Sequence, residues 1–368
     1  MIKVKNPIKT LLFLCLIALP GLGFASDSDE GDKFDPKELI DNHVWDSHEF
    51  HIADWDGHPI TLPLPVILFT DNGLTVFSSA RFHHDNEAEH IVEVNGEKFV
   101  RFKEHIFYAD KFDKEKFESL STVARPFQYG DRPLDFSLTK TVFSMIFSAI
   151  LLFLFFGLAA KAYKKNDKAP KGLAAFLEPL VLFVRDDIAI PNVGPKYARY
   201  MPFLLTIFFF IFINNIIGII PFFPFSANLT GNIIFTFVLA FIVFLVTLFS
   251  GNKYYWKHIL TPPVPKALYP IMVPIEIIGM ITKPFALMIR LFANITAGHI
   301  IILSLVGLIF IFGTVALSPV SIIFVLFMSV LELLVAALQA YVFTLLASLF
   351  IGQAIEEHHH GVDEEIIL

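Results

Sequence analysis

Cysteine is almost absent from this chain. Cys15 is the only one in 368 residues, so no intrachain disulfide staples the fold and no thiolate set holds a metal. Charge is scarce too: 17% of residues are charged against 55% hydrophobic, and 42 are phenylalanine. Apolar surface on that scale needs lipid or a very large core to cover it. The formal net charge of -7 gathers at the two ends of the chain. With no basic stripe interleaved with aromatics, no nucleic-acid partner is expected. Also missing are a glycine-rich phosphate loop, a Cys/His ligand set and a nucleophile beside a base. No cofactor, bound metal or independent catalytic activity is therefore expected.

What is present begins with three lysines, Lys3, Lys5 and Lys9, ahead of an apolar run from Leu11 to Leu22 that ends in Gly23-Phe24-Ala25-Ser26. A basic start, a short apolar stretch and small residues at its end read as a signal peptide over 1–25. The run falls short of the roughly 20 apolar residues of a permanent span. Residues 26–136 are polar and read as an exported, β-rich extension. Val66–Phe69 and Leu74–Phe77 flank Asp71-Asn72-Gly73; Ile91–Val94 and Lys98–Phe102 flank Asn95-Gly96. Both are hairpin signals, and Asn-Gly is the pairing a type I′ turn demands. Eight histidines fall in this extension, but His83, His84 and His90 match no ligand spacing, and a solvated acidic loop is the better reading.

From 137 to 356 the chain reads as a membrane domain. A first span over about 137–160 is closed by Lys161, Lys164, Lys165, Lys168 and Lys171, which assigns that end to the cytoplasm. Leu173, Phe176, Leu177, Leu180, Val181 and Val184 form one helical face, so a helix over 172–188 is expected on the cytoplasmic surface. Spans follow over about 201–223 and 231–250, and then two long apolar arms, 271–317 and 319–355. Each arm makes a helix of about 50–65 Å at 1.5 Å per residue, against a bilayer core of about 30 Å. Such a hairpin must lie strongly tilted or break, with Pro284 and Gly298 as candidate bends. Residues 357–368 form an acidic tail. The fold class is an all-α polytopic membrane protein with a strongly tilted C-terminal helical hairpin and a small β-rich extramembrane domain. The topology puts the extension outside a bacterial inner membrane and the C-terminus in the cytoplasm.

Within the hairpin the ionisable residues are Glu276, Lys283, Arg290, His299 and Glu332. A charge at membrane depth is retained mainly where it pairs or lines a wet path. Snorkelling can explain Glu276 and Lys283 but not Arg290 or Glu332. Arg290 and Asn294 are i, i+4 and share a face, to which Glu276 returns after fourteen positions. His299, nine positions on, falls on the opposite side of a straight helix. On the other arm Glu332 and Gln339 are i, i+7 and align.

The stretch Pro284-Phe285-Ala286-Leu287-Met288-Ile289-Arg290-Leu291-Phe292-Ala293-Asn294-Ile295-Thr296-Ala297-Gly298-His299 closely resembles the signature helix of the ATP synthase subunit a family. Leu338-Gln339-Ala340-Tyr341-Val342-Phe343 and Asn215-Ile216-Ile217-Gly218-Ile219-Ile220-Pro221 resemble two further motifs of that family. The likeness runs roughly from Phe136 to Ile355. It implies a proton-conducting stator subunit in which Arg290 meets the carboxylates of a c-subunit rotor ring. Asn294, Gln339, His299 and Glu332 line an outer half-channel and Glu276 a cytoplasmic one. Implied partners are the c ring, the peripheral-stalk b subunits, the remaining synthase subunits and the lipid bilayer, with no ATP site on this chain. The chain departs from the family in its long extension. It also exchanges His299 and Glu332 relative to many bacterial members, as in mitochondrial ones. The exchange keeps both chemical groups, and the two are expected to lie together and act as a unit. An ion-coupled secondary transporter is the alternative reading, but no inverted repeat supports it.

Overall fold

A computed structural model describes residues 46–55, 58–119, 132–165, 171–220, 227–262, 264–265, 268–312 and 318–356. The expected signal peptide (1–25) and acidic tail (357–368) lie outside them. The extension holds β1 (Glu49–Trp55), β2 (His58–Pro63), β3 (Pro65–Thr70), β4 (Gly73–Ser78), β5 (Val92–Val94), β6 (Glu97–Phe102), β7 (His105–Tyr108), the short helix α1 (Lys114–Ser119) and β8 (Leu134–Asp135). The remaining helices follow: α2 (Lys140–Lys165), α3 (Leu173–Phe183), α4 (Ile190–Val193), α5 (Tyr197–Ile219), α6 (Ile233–Ser250), α7 (Lys253–Leu260), α8 (Tyr269–Phe312) and α9 (Ser318–Ile355).

Three small antiparallel sheets, β1-β2, β4-β3-β8 and β5-β6-β7, build the extension. Both expected hairpins are present. Val94 pairs with Glu97 across Asn95-Gly96, whose φ values of 54° and 79° are the two positive values a type I′ turn requires. In the other hairpin Thr70 pairs with Gly73, and Gly73 takes the positive φ, 112°, leaving Asp71-Asn72 as the tip. Inward residues Val66, Leu68, Phe77, Phe82, Val92, Phe99 and Ile106 form one core; Val100, Phe102, Phe107 and Phe117 form a second.

Among the described residues Arg101 and His48 are ionisable side chains buried in the extension. Arg101, 1% exposed, donates to Glu49 Oε1 at 3.0 Å and to the Asp85 carbonyl at 2.7 Å. His48, 3% exposed, hydrogen-bonds Asp135 Oδ2 at 3.0 Å. Residues 137–139, expected to open the first span, instead continue the strand-side run from Phe136, whose amide donates to the Ile67 carbonyl at 2.9 Å, and the Leu138 amide donates to the Pro65 carbonyl at 3.1 Å. The helix starts at Lys140, where Asp46 Oδ1 accepts from the Thr141 amide at 3.0 Å and satisfies one of its orphan N–H groups.

Among the described residues five helical segments are long and apolar enough to cross a membrane: Lys140–Lys164, Leu173–Ile219, Ile233–Ser250, Tyr269–Leu308 and Pro319–Ile355. The stretch read as a separate surface helix continues from α3 through a π-helical turn, Val184–Ala189, toward α5. Ala174, Leu177, Val184 and Ile188 are its buried residues, whereas Phe176, expected on that face, is 66% exposed. Asn232 caps α6, accepting from the Ile234 amide at 2.9 Å. α8 and α9 have 44 and 38 residues, about 66 and 57 Å of helix. α8 passes Pro284 and Gly298 unbroken, so the expected bends do not interrupt it.

The described residues up to Phe147, with Ile217–Ala227 and Ile302–Phe327, form one compact unit. Ser148–Ile216, Asn228–Ile301 and the residues from Met328 onward form a second. The second carries the largest core, in which Leu287 and Leu291 of α8 join Ala340, Phe343, Ala347 and Ile351 of α9. Small residues at that seam let the helix backbones approach closely. At the end of α9, Asn252 donates from its amide to the Ala354 carbonyl at 2.9 Å and from Nδ2 to the Ile355 carbonyl at 2.7 Å.

Candidate functional site

Helical spacing divides α8 into two faces. Leu287, Leu291, Ile295 and His299 repeat every four residues and all are buried. Arg290 and Asn294 lie off that ladder and are exposed. Among the described residues Arg290 makes no hydrogen bond or ion pair. An unpaired guanidinium stands on the flank of a helix in which the nearest other ionisable side chains are Lys283 and His299.

α9 supplies the complementary row. Glu332, Ala336, Gln339, Ala340 and Phe343 are buried on one face. Two polar pairs join the helices across it. Asn294 Nδ2 donates to Gln339 Oε1 at 3.0 Å. His299 Nδ1 and Glu332 Oε1 form a direct, short hydrogen bond, with the two residues 8% and 5% exposed. Gly298 makes room for it: a Cβ there would stand 3.1 Å from Glu332 Oε1, a tight contact that would press the carboxyl group off the α8 backbone.

The structure thus brings together four of the six residues singled out from sequence, Asn294, Gln339, His299 and Glu332. It places Arg290 one helical turn from Asn294, turned outward. Glu276 lies about 21 Å along α8 from Arg290, by fourteen residues at 1.5 Å each, and is half-buried. Its charge reaches Tyr255 of α7, whose phenol is raised above its usual range first by burial and then by Glu276. Lys283 donates to Gln353 Oε1 at 3.0 Å.

Sequence reasoning gave no site role to Asn215. Its Nδ2 donates to the Ala336 carbonyl at 3.2 Å, one turn of α9 from Gln339. Asn215 Oδ1, Asn214 Oδ1, Thr230 Oγ1 and Gln339 Nε2 are buried with no hydrogen-bond partner among the described residues. Buried polar atoms of this kind ordinarily hydrogen-bond to ordered water. The signal was readable in Asn214-Asn215, two amides inside an otherwise apolar span.

Helices of this length, with polar pairs between them and a bare cation on one flank, define a multi-pass membrane protein. The family model described as ATP synthase A chain matches residues 142–352. The chain is 50% identical over 266 residues to ATP synthase subunit a of Chloroherpeton thalassium, covering 70% of this chain and 77% of that one. It is 39% identical to the Chlorobium phaeobacteroides (strain BS1) subunit, over 83% of this chain and 94% of that one. It is 45% identical to the Myxococcus xanthus subunit, over 63% and 78%. The chain belongs to the ATP synthase A chain family. A second family model, a domain of unknown function (DUF8433), matches residues 39–136.

Proposed function

We propose that this chain is the proton-translocating stator subunit of a rotary ATP synthase and that Arg290 is the residue that faces the rotor. The observation that carries the reading is the exposed, unpartnered Arg290 on a membrane-spanning helix. A guanidinium at that depth is costly unless something negative meets it. This chain offers it nothing among the described residues, so the partner comes from outside, and a carboxylate of the c-subunit ring has the required charge. As each protonated carboxyl arrives, the neighbouring cation favours its ionised form and the proton leaves. Arg290 keeps its own proton throughout and therefore separates two half-channels instead of joining them.

His299 and Glu332 form the proton-passing pair of the outer half-channel. Imidazole can take up a proton at one ring nitrogen and release one from the other, which suits passing protons between partners. When a proton enters at one member of the pair, the hydrogen bond hands it to the other, and a water or the rotor carboxylate takes it on. Asn294, Gln339 and Asn215 continue the wet path, the unmet Gln339 Nε2 and Asn215 Oδ1 being places for water. Glu276 serves the cytoplasmic half-channel. The remaining partners are the peripheral-stalk b subunits and the rest of the synthase, in the inner membrane.

Proton-driven ATP synthesis by the assembled complex tests this. Arg290→Ala is expected to abolish it with the complex intact. Normal synthesis by an assembled Arg290→Ala complex would falsify the assignment.

A further inference from the structure

The sheet β4-β3-β8 is apolar on both faces. One face feeds the core through Val66, Leu68 and Phe77. On the other, the strand register sets out two rows. Leu74, Phe69 and Leu134 stand side by side in one; Val76 and Ile67 stand together in the other, with Phe136 bonded beside Ile67. Phe69, Leu74, Val76, Leu134 and Phe136 are 54%, 63%, 56%, 63% and 68% exposed. Among the described residues of these strands no charged side chain interrupts them, because Asp135, next in the strand, points inward to His48. A contiguous exposed apolar patch on a folded domain marks an interaction surface.

What covers the patch follows from where it is anchored. Phe136 lies four residues before Lys140, the first residue of the membrane-spanning helix α2, so at most about 14 Å of chain separates them. The connection is also rigid: the Leu138 amide bonds the Pro65 carbonyl at 3.1 Å and the Lys140 amide bonds the Ser47 carbonyl at 2.9 Å. The sheet is therefore clamped at the mouth of α2. The polar layer of a bilayer is about 5–7 Å deep on each side, taking 40–45 Å in all around a 30 Å core. Within the same compact unit α2 also exposes Met145 and Ile146.

We propose that this sheet face rests on the phospholipid bilayer beside α2, with the row Val76–Ile67–Phe136 entering the headgroup layer. The extension is then a membrane-surface domain, independent of what Arg290 does. The row nearer α2 lies deeper than the row Leu74–Phe69–Leu134.

Nitroxide labels test this in the assembled complex in phospholipid nanodiscs. They are placed on Val76→Cys, Phe136→Cys, Leu74→Cys and Glu93→Cys in a Cys15→Ser background. All four labelled positions are exposed, so the cores stay intact. The ratio of collisions with oxygen to collisions with a water-soluble nickel chelate is expected to exceed the Glu93 value by about threefold or more at positions 76 and 136. Position 74 should fall between. Water access equal to that at Glu93 overturns the proposal. Protection from both reagents also overturns it, since a protein then covers the face.

Discussion

Two arginines, Arg101 and Arg290, show how differently the two parts of this chain use a guanidinium. Arg101 sits in the extension, 1% exposed, its charge met by Glu49 and its Nε by a backbone carbonyl. Arg290 sits on a membrane-spanning helix, exposed and without a partner among the described residues. The first is consumed in holding a small domain together. The second makes no such contact among the described residues, and the role proposed for it, meeting a passing partner, requires that.

The same substitution at both sites should break this comparison if it is wrong. Arg101→Ala removes the partner of Glu49 Oε1 and leaves that carboxylate to His84 alone, and is expected to destabilise the extension by about 1.5–3 kcal/mol, read as lost protease resistance. Arg290→Ala should leave thermal stability near wild type and remove ATP synthesis. Arg290→Lys should rescue poorly, because a compact ammonium can lose its proton when buried.

Next in size come the paired groups. His299→Ala and Glu332→Ala should each slow proton flux on the order of tenfold to a hundredfold, and the double variant should do little more than either alone. The exchange His299→Glu with Glu332→His should recover more flux than either single swap. Additive losses without rescue would mean two separate sites. Gly298→Ala presses a methyl group against the Glu332 carboxyl, and overpacking of this kind costs about 1–3 kcal/mol. A smaller fall in flux is expected, with assembly unchanged.

The smallest effect concerns acid. Burial pushes the Asp135 carboxyl up, but its hydrogen bonds with His48 and Ser137 outweigh that and hold it below the usual range. A carboxyl lowered in the folded state adds stability above its unfolded pKa, and that stability fades as pH falls through the folded value. Asp135→Asn should therefore weaken the extension slightly at neutral pH and flatten its loss on acidification, measured by intrinsic fluorescence.

Spacing within one helix was legible in sequence, and spacing between helices was not. Arg290 with Asn294, His299 on the far side, and the Asn95-Gly96 turn all follow from local periodicity. The partnerships Asn294–Gln339 and His299–Glu332 span 45 and 33 positions, so they depend on how α8 and α9 pack. Pro284 was expected to bend α8, yet neighbouring helices can absorb the lost backbone bond. In the extension, β1 and β2 flank Asp56-Gly57, a hairpin signal that the sequence reading passed over, and the burial of Arg101 and His48 depends on chain contacts 52 and 87 positions away.

Passive proton permeability and proton-driven ATP synthesis, measured on the same vesicles carrying assembled Arg290→Ala complex, test the central claim most directly. If Arg290 both meets the rotor carboxylate and keeps the half-channels apart, synthesis vanishes and the vesicles leak protons that wild-type vesicles hold. Tight vesicles that still make ATP would show that the bare arginine has no part in coupling.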